Sequence, residues 1–185
     1  MKYCLIGLYV FFFTFSDLAQ STFVKAYIIQ MNGDTIRGEA KINPKKELNN
    51  YNKVTFRDDS GIQKIYKPNK IKAYGFNDFH FVSYTTEGEF YFFNRILAGE
   101  ISLFKLGFEA MRMNKPIYEE AFFLSHASNN ELIDVKEGRF KKQLTDWMKD
   151  HPDFIEEYGD DKKFDVEKAI EVISHYNAWK AEHTE

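Results

Sequence analysis

Five histidines, four adjacent acidic pairs and one run of cations are the residues of this chain whose types suit chemistry. The histidines are His80, His126, His151, His175 and His183. A zinc site takes three or four ligands, commonly with a close pair such as HxH or HExxH. Neither spacing occurs. The triplet HPD at 151–153 brings His151 near Asp153, but beside Pro152 at a helix start, where the positive end of the helix dipole accounts for Asp153. The spacings therefore call for no metal and no other cofactor.

The acidic pairs are Asp58-Asp59, Glu119-Glu120, Glu156-Glu157 and Asp160-Asp161. Glycosidases set two carboxylates across a cleft, which sequence neighbours do not encode. Asp58-Asp59 reads as turn chemistry, and the two C-terminal pairs as solvated helix surface. Glu119 and Glu120 fall in an expected strand, so one of them must face a buried or cleft side unless the strand lies at an edge. We read it as an edge. The G-x-S-x-G nucleophile pattern does not occur, and Ser125-His126 is mere adjacency, uninformative about a triad assembled in space. No residue is assigned a catalytic role.

The basic residues are better organised. Between positions 41 and 72, Lys41, Lys45, Lys46, Lys53, Arg57, Lys64, Lys67, Lys70 and Lys72 outnumber Glu47, Asp58 and Asp59, with Tyr51, Phe56, Tyr66 and Tyr74 interleaved. Cations alternating with aromatics can hold single-stranded nucleic acid, a partner not expected for an exported protein. An anionic surface glycan, a lipid phosphate or an envelope protein meets the same pattern. Charged outer faces also discourage edge-to-edge strand pairing. If these residues contact a ligand, Lys64, Tyr66, Lys67, Lys70 and Tyr74 are the expected contacts.

Export is expected from the first 21 residues. Lys2 precedes an apolar run from Cys4 to Phe13 that ends at Phe15, and small residues follow at Ser16, Ala19 and Ser21. This is the layout of a signal peptide. About a dozen apolar residues fall short of the roughly 20 that a membrane-spanning helix needs, and the mature chain offers no other candidate span. Cys4, the only cysteine, lies inside the leader, so the exported chain has no disulfide and must be stable through burial alone. A cysteine-free exported protein suits a bacterial periplasm or cell surface.

The elements that would position any site change period once. Residues 22–136 alternate as strands do, and residues 137–185 repeat at helical spacing. The first region carries 16 basic and 14 acidic groups and the second 8 and 13, an asymmetry that marks two differently built parts. QMNGDTIRGE at 30–39 reads as a hairpin around Asn32-Gly33 or Gly33-Asp34, because strict alternation follows it where a phosphate loop would need a helix. FYFF at 90–93 is apolar on both faces and predicts a central strand. Phe140, Leu144, Trp147 and Met148 form one helical stripe. Asp150 and Asp165 are candidate caps of two later helices. The expected fold is α+β: a small curled sheet or SH3-like barrel and a second β-meander, then two to three short helices packed on them.

In segment order the chain resembles a family of uncharacterised exported proteins of Bacteroidota, through the NGDTIRGEA hairpin, NKVTFRDDSG, YKPNKIKAYGF, RILAGEISLFK and EGRFKKQL. The resemblance implies location and architecture and supplies no catalytic residues. The expected role is a non-enzymatic binding or scaffolding module of the envelope. The alternative is an envelope hydrolase whose acidic residues and histidine converge only in the fold.

Overall fold

The computed structural model describes residues 21–129, 131–136, 138–158 and 163–183. The expected leader, apart from Ser21, lies outside the described residues. Among those described, alternating sequence folds into ten strands: β1 (Thr22–Gln30), β2 (Thr35–Ile42), β3 (Val54–Asp58), β4 (Gln63–Tyr66), β5 (Ile71–Phe76), β6 (Phe79–Thr86), β7 (Glu89–Leu97), β8 (Ile101–Arg112), β9 (Lys115–His126) and β10 (Ile133–Asp134). They form one antiparallel sheet in the order β10-β9-β8-β7-β6-β5-β1-β2-β3-β4.

The protein is thus α+β, but its sheet is larger than expected. The two β blocks are joined where β5 returns to lie beside β1, with Tyr27 opposite Gly75 and Ile28 opposite Tyr74. That pairing uses the second edge of β1 and merges two meanders into one layer.

Turn residues set the joints. In the first hairpin only Gly33 takes a positive φ, of 97°. Its N–H donates to the Gln30 carbonyl at 2.9 Å, and the Gln30 N–H donates to the Asp34 carbonyl at 2.8 Å. The loop is therefore Met31-Asn32-Gly33, a turn followed by one left-handed residue, rather than a two-residue turn. Two-residue turns occur at Glu87-Gly88 and Met113-Asn114, where both members have positive φ.

The apolar residues of the described chain gather in two clusters. In the first, Phe56, Tyr74, Phe81 and Phe92 are closed off by Tyr51, delivered by α1 (Asn49–Asn52) from the β2–β3 connection. NNYN carries no periodic signal, and sequence reasoning did not anticipate this helix. In the second, Ile101, Leu103 and Leu124 lie beneath α2 (Phe140–Trp147), α3 (Asp153–Tyr158) and α4 (Val166–His183). β7 is interior as expected, and its adjacent Phe92 and Phe93, on opposite faces, are both fully buried.

The Asp165 carboxylate caps α4, accepting the N–H groups of Glu167 at 3.0 Å and Lys168 at 3.2 Å. Asp150 does not cap α3. The helix α2 ends at Trp147, which leaves Asp150 in the connecting turn, where it accepts the Tyr176 hydroxyl at 2.8 Å and the Lys180 ammonium. Among the described residues no helix is long and apolar enough to cross a membrane.

Candidate functional site

Antiparallel pairing places directly opposite residues on the same face. Arg37, Tyr27, Gly75 and His80 thereby form one row across β2, β1, β5 and β6. Arg95 of β7 continues it, because the neighbouring Phe81 and Asn94 are opposite each other. Two residues along the strands runs a second row of Lys25, Glu39 and Arg57. Tyr27, Arg37 and Gly75 of the first row and all three residues of the second line an open groove of about 920 Å³, with Asp58, Asp59 and Asn77 at its loop end. His80 and Arg95 lie beyond it along the first row.

The charges of the groove are unequally engaged. Glu39 accepts from Arg57, whose guanidinium also lies 4.1 Å over the Phe23 ring. Asp58 closes its own turn, accepting from Ser60 and from the Ile62 N–H, and those bonds hold its carboxyl below the usual range. Lys25 and Arg37 are exposed and make no ion pair among the described residues. Three cations (Lys25, Arg37, Arg57) thus face three carboxylates (Glu39, Asp58, Asp59), and among the described residues only Arg57 and Glu39 pair with each other. Lys25 and Arg37 stay open to a ligand on the strands, while Asp58 and Asp59 hold the loop end.

One wall of the groove depends on a missing side chain. Tyr27 lies across Gly75, where a Cβ would sit 2.5 Å from the phenol oxygen. The Tyr27 hydroxyl hydrogen-bonds with Nδ1 of His80, and the two rings stack with centroids 5.9 Å apart. Burial, reinforced by the Arg95 cation, pulls His80 down to about 4. Its imidazole is neutral at pH 7, which leaves Nδ1 able to accept. Burial also raises Tyr27, so the phenol keeps its proton. Arg95 is half-buried and makes no ion pair among the described residues.

The five expected contacts do not converge here. Lys64 and Tyr66 sit on β4, at the end of the sheet, opposite Phe56 and Val54 and so on the other face from the groove. Lys67 and Lys70 are exposed on either side of the turn at Pro68. Tyr74 is a correction. It is fully buried, stacks on Phe81 at 4.8 Å, and donates its hydroxyl to the Asn50 carbonyl at 2.6 Å. The β5 strand is covered on both faces, which alternation alone did not indicate.

The acidic candidates have partners of their own. Glu119 meets Arg112 at 3.3 Å, and Glu120 meets Lys105 at 2.9 Å and Tyr118 at 2.8 Å. Neither meets a histidine among the described residues. β10 reaches β9 only at Phe123 and Leu124, so the strand is an edge at both glutamates. His126 does join an acid and a hydroxyl: its Nε2 is 3.4 Å from Glu100, and its Nδ1 accepts the Ser128 hydroxyl at 2.9 Å. The same Nδ1 accepts the Ser128 N–H at 3.2 Å. That double contact two residues away is a side chain closing a turn. Among the described residues no group of three potential ligands could hold a metal ion.

Compared with family models, curated proteins and solved structures, the chain matches none. Sequence reasoning missed Tyr27, Arg37, His80 and Arg95 because five strands contribute to their row. Gly75 inside a strand was the one local sign, since such a glycine marks a close approach.

Proposed function

We propose that this protein is exported to the bacterial envelope and acts there by binding an anionic glycan rather than by catalysis. The observation that supports this reading best is the pair Lys25 and Arg37, with no ion pair among the described residues, lining an open groove beside Tyr27. An open groove of this kind suits a polymer running across it, and Tyr27 offers an aromatic surface. Lys64, Lys67 and Lys70 extend positive charge around the β4 edge as a secondary rim. Export rests on the order of Lys2, the apolar run and the small residues after it, and the likeness to exported Bacteroidota proteins agrees with it.

The test is retention on an immobilised sulfated or uronate-bearing polysaccharide. Reversing both groove charges, K25E with R37E, is expected to weaken binding by about tenfold or more, equivalent to about 1.4 kcal/mol or more. Reversal of Lys64, Lys67 and Lys70 is expected to act less, and salt should weaken wild-type retention. Binding that survives K25E/R37E unchanged would remove the groove from the proposal.

A further inference from the structure

The β8–β9 hairpin runs beyond the sheet. β7 pairs with β8 no further than Lys105, and β10 meets β9 only at Phe123 and Leu124. From Leu106 to Ala121, among the described residues, these two strands pair only with each other, in a register that closes at Arg112 opposite Lys115. The base of this ribbon is braced, for Tyr51 and Tyr118 both lie against the backbone of Gly107. Its outer part is not. Phe108 is 36% exposed, Met111 69% and Met113 93%. A lone two-stranded ribbon is marginal in water, and large apolar groups on open edges invite association.

The side chains of the ribbon are sorted by distance from its tip. Met113-Asn114 forms the turn. Behind it come Arg112 and Lys115, then Met111 and Pro116, then Ala110 and Ile117. Carboxylates enter only with Glu109, Glu119 and Glu120. At a rise of about 3.4 Å per residue, Met111 lies about 7 Å and Glu109 about 14 Å behind Met113. The outer end thus combines apolar groups with two cations, and among the described residues the hairpin's acids lie nearer the body.

The arrangement also indicates what covers it. Cross-strand pairing puts Met111 on one face of the ribbon and Ile117, half-buried opposite Ala110, on the other. A flat protein partner, or a second copy stacked on the hairpin, would cover one face and leave the other wet. A lipid surface surrounds both. Interfacial elements bury their apolar groups about 5–10 Å into the boundary between headgroups and acyl chains, a depth that takes in Met113 and Met111. Arg112 and Lys115, which lie between Met113 and Met111 along the ribbon, would then reach back to the lipid phosphates through their long side chains. The contact of Arg112 with Glu119, at 3.3 Å and well exposed, is weak enough to exchange for one. We propose that the tip of the β8–β9 hairpin inserts into the surface of an anionic lipid bilayer. The inference does not depend on the groove.

Amide hydrogen exchange across residues 108–119 of the full chain, with and without phosphatidylglycerol–phosphatidylcholine vesicles, tests this locally. Adsorption through the N-terminal apolar run would not protect that peptide. Exchange there is expected to slow several-fold on the vesicles and less on phosphatidylcholine alone. M111D/M113D should abolish the protection, and R112E/K115E should remove the preference for phosphatidylglycerol. Unchanged exchange in 108–119 would overturn the proposal. Protection that rises with protein concentration in the absence of lipid would also overturn it, in favour of a second copy.

Discussion

Asn177 on α4 bonds both backbone groups of Ile101, accepting its N–H at 2.9 Å and donating to its carbonyl at 2.8 Å. Ile101 opens β8, where the register between β7 and β8 shifts between Arg95 and Leu97 and β7 pairs with nothing before Leu103. A side-chain amide thus replaces a missing strand neighbour and fixes the last helix to the sheet.

Replacing Asn177 with Ala leaves the N–H and carbonyl of a fully buried residue without those partners. The expected loss is about 2–4 kcal/mol, from two backbone groups at about 1–2 kcal/mol each. Urea denaturation followed by circular dichroism measures it. A loss within experimental error would mean that packing alone holds α4 in place.

Tyr74 and the lysines around it separate core from surface. Tyr74→Ala should cost about 3–5 kcal/mol, as other buried aromatic truncations do. Tyr74→Phe removes only the bond to the Asn50 carbonyl and should cost about 1 kcal/mol. Lys64→Ala, Lys67→Ala and Lys70→Ala should each stay within about 0.5 kcal/mol of wild type. Thermal unfolding of the five variants gives the ranking, and a mild Tyr74→Ala would contradict its place in the core.

What could be read along the chain was local. Phe140, Leu144 and Met148 repeat at helical spacing, and all three are buried. The cap at Asp165 and the central position of FYFF also follow from neighbours in sequence. The pairing of β1 with β5 does not, because both edges of β1 look alike until the rest of the sheet is assembled. Tyr74 is an expected ligand contact from its place among the cations, and nothing adjacent to it in sequence marks it as core. Both faces of β5 are in fact covered. Arg37, Tyr27, His80 and Arg95 are spread over almost seventy positions, so only the sheet order makes them neighbours.

Acid should weaken the protein through His80 before most carboxylates respond. The unfolded imidazole binds its proton near 6.5 and the folded one only near 4, so the unfolded state holds more protons between those values. Stability is complete above pH 6.5 and falls as pH drops towards 4. Allowing for the partial exposure of the ring, the loss is about 1–2 kcal/mol. Asp150 is desolvated, yet its bonds from Lys180 and Tyr176 hold it below 3.8, so its contribution is lost at lower pH. Denaturation midpoints between pH 7 and 4.5 should therefore flatten in His80→Gln, which cannot titrate. An unchanged slope in that variant would assign the effect elsewhere.

Gly75 and Tyr27 should act as one unit. An added methyl at Gly75 meets the Tyr27 ring at 2.6 Å and its hydroxyl at 2.5 Å, so the phenol must swing away from His80. Gly75→Ala is expected to cost about 1–3 kcal/mol, the usual range for overpacking. Tyr27→Phe alone should cost about 1 kcal/mol for the lost hydrogen bond. In the Gly75→Ala background the bond to His80 is already broken, so adding Tyr27→Phe should change stability by less than about 0.5 kcal/mol. Urea titrations of the two single variants and the double variant close the cycle. Full additivity would show that the Tyr27 hydroxyl still reaches His80 with alanine beneath it, and that Gly75 is not what lets the tyrosine cross the strand.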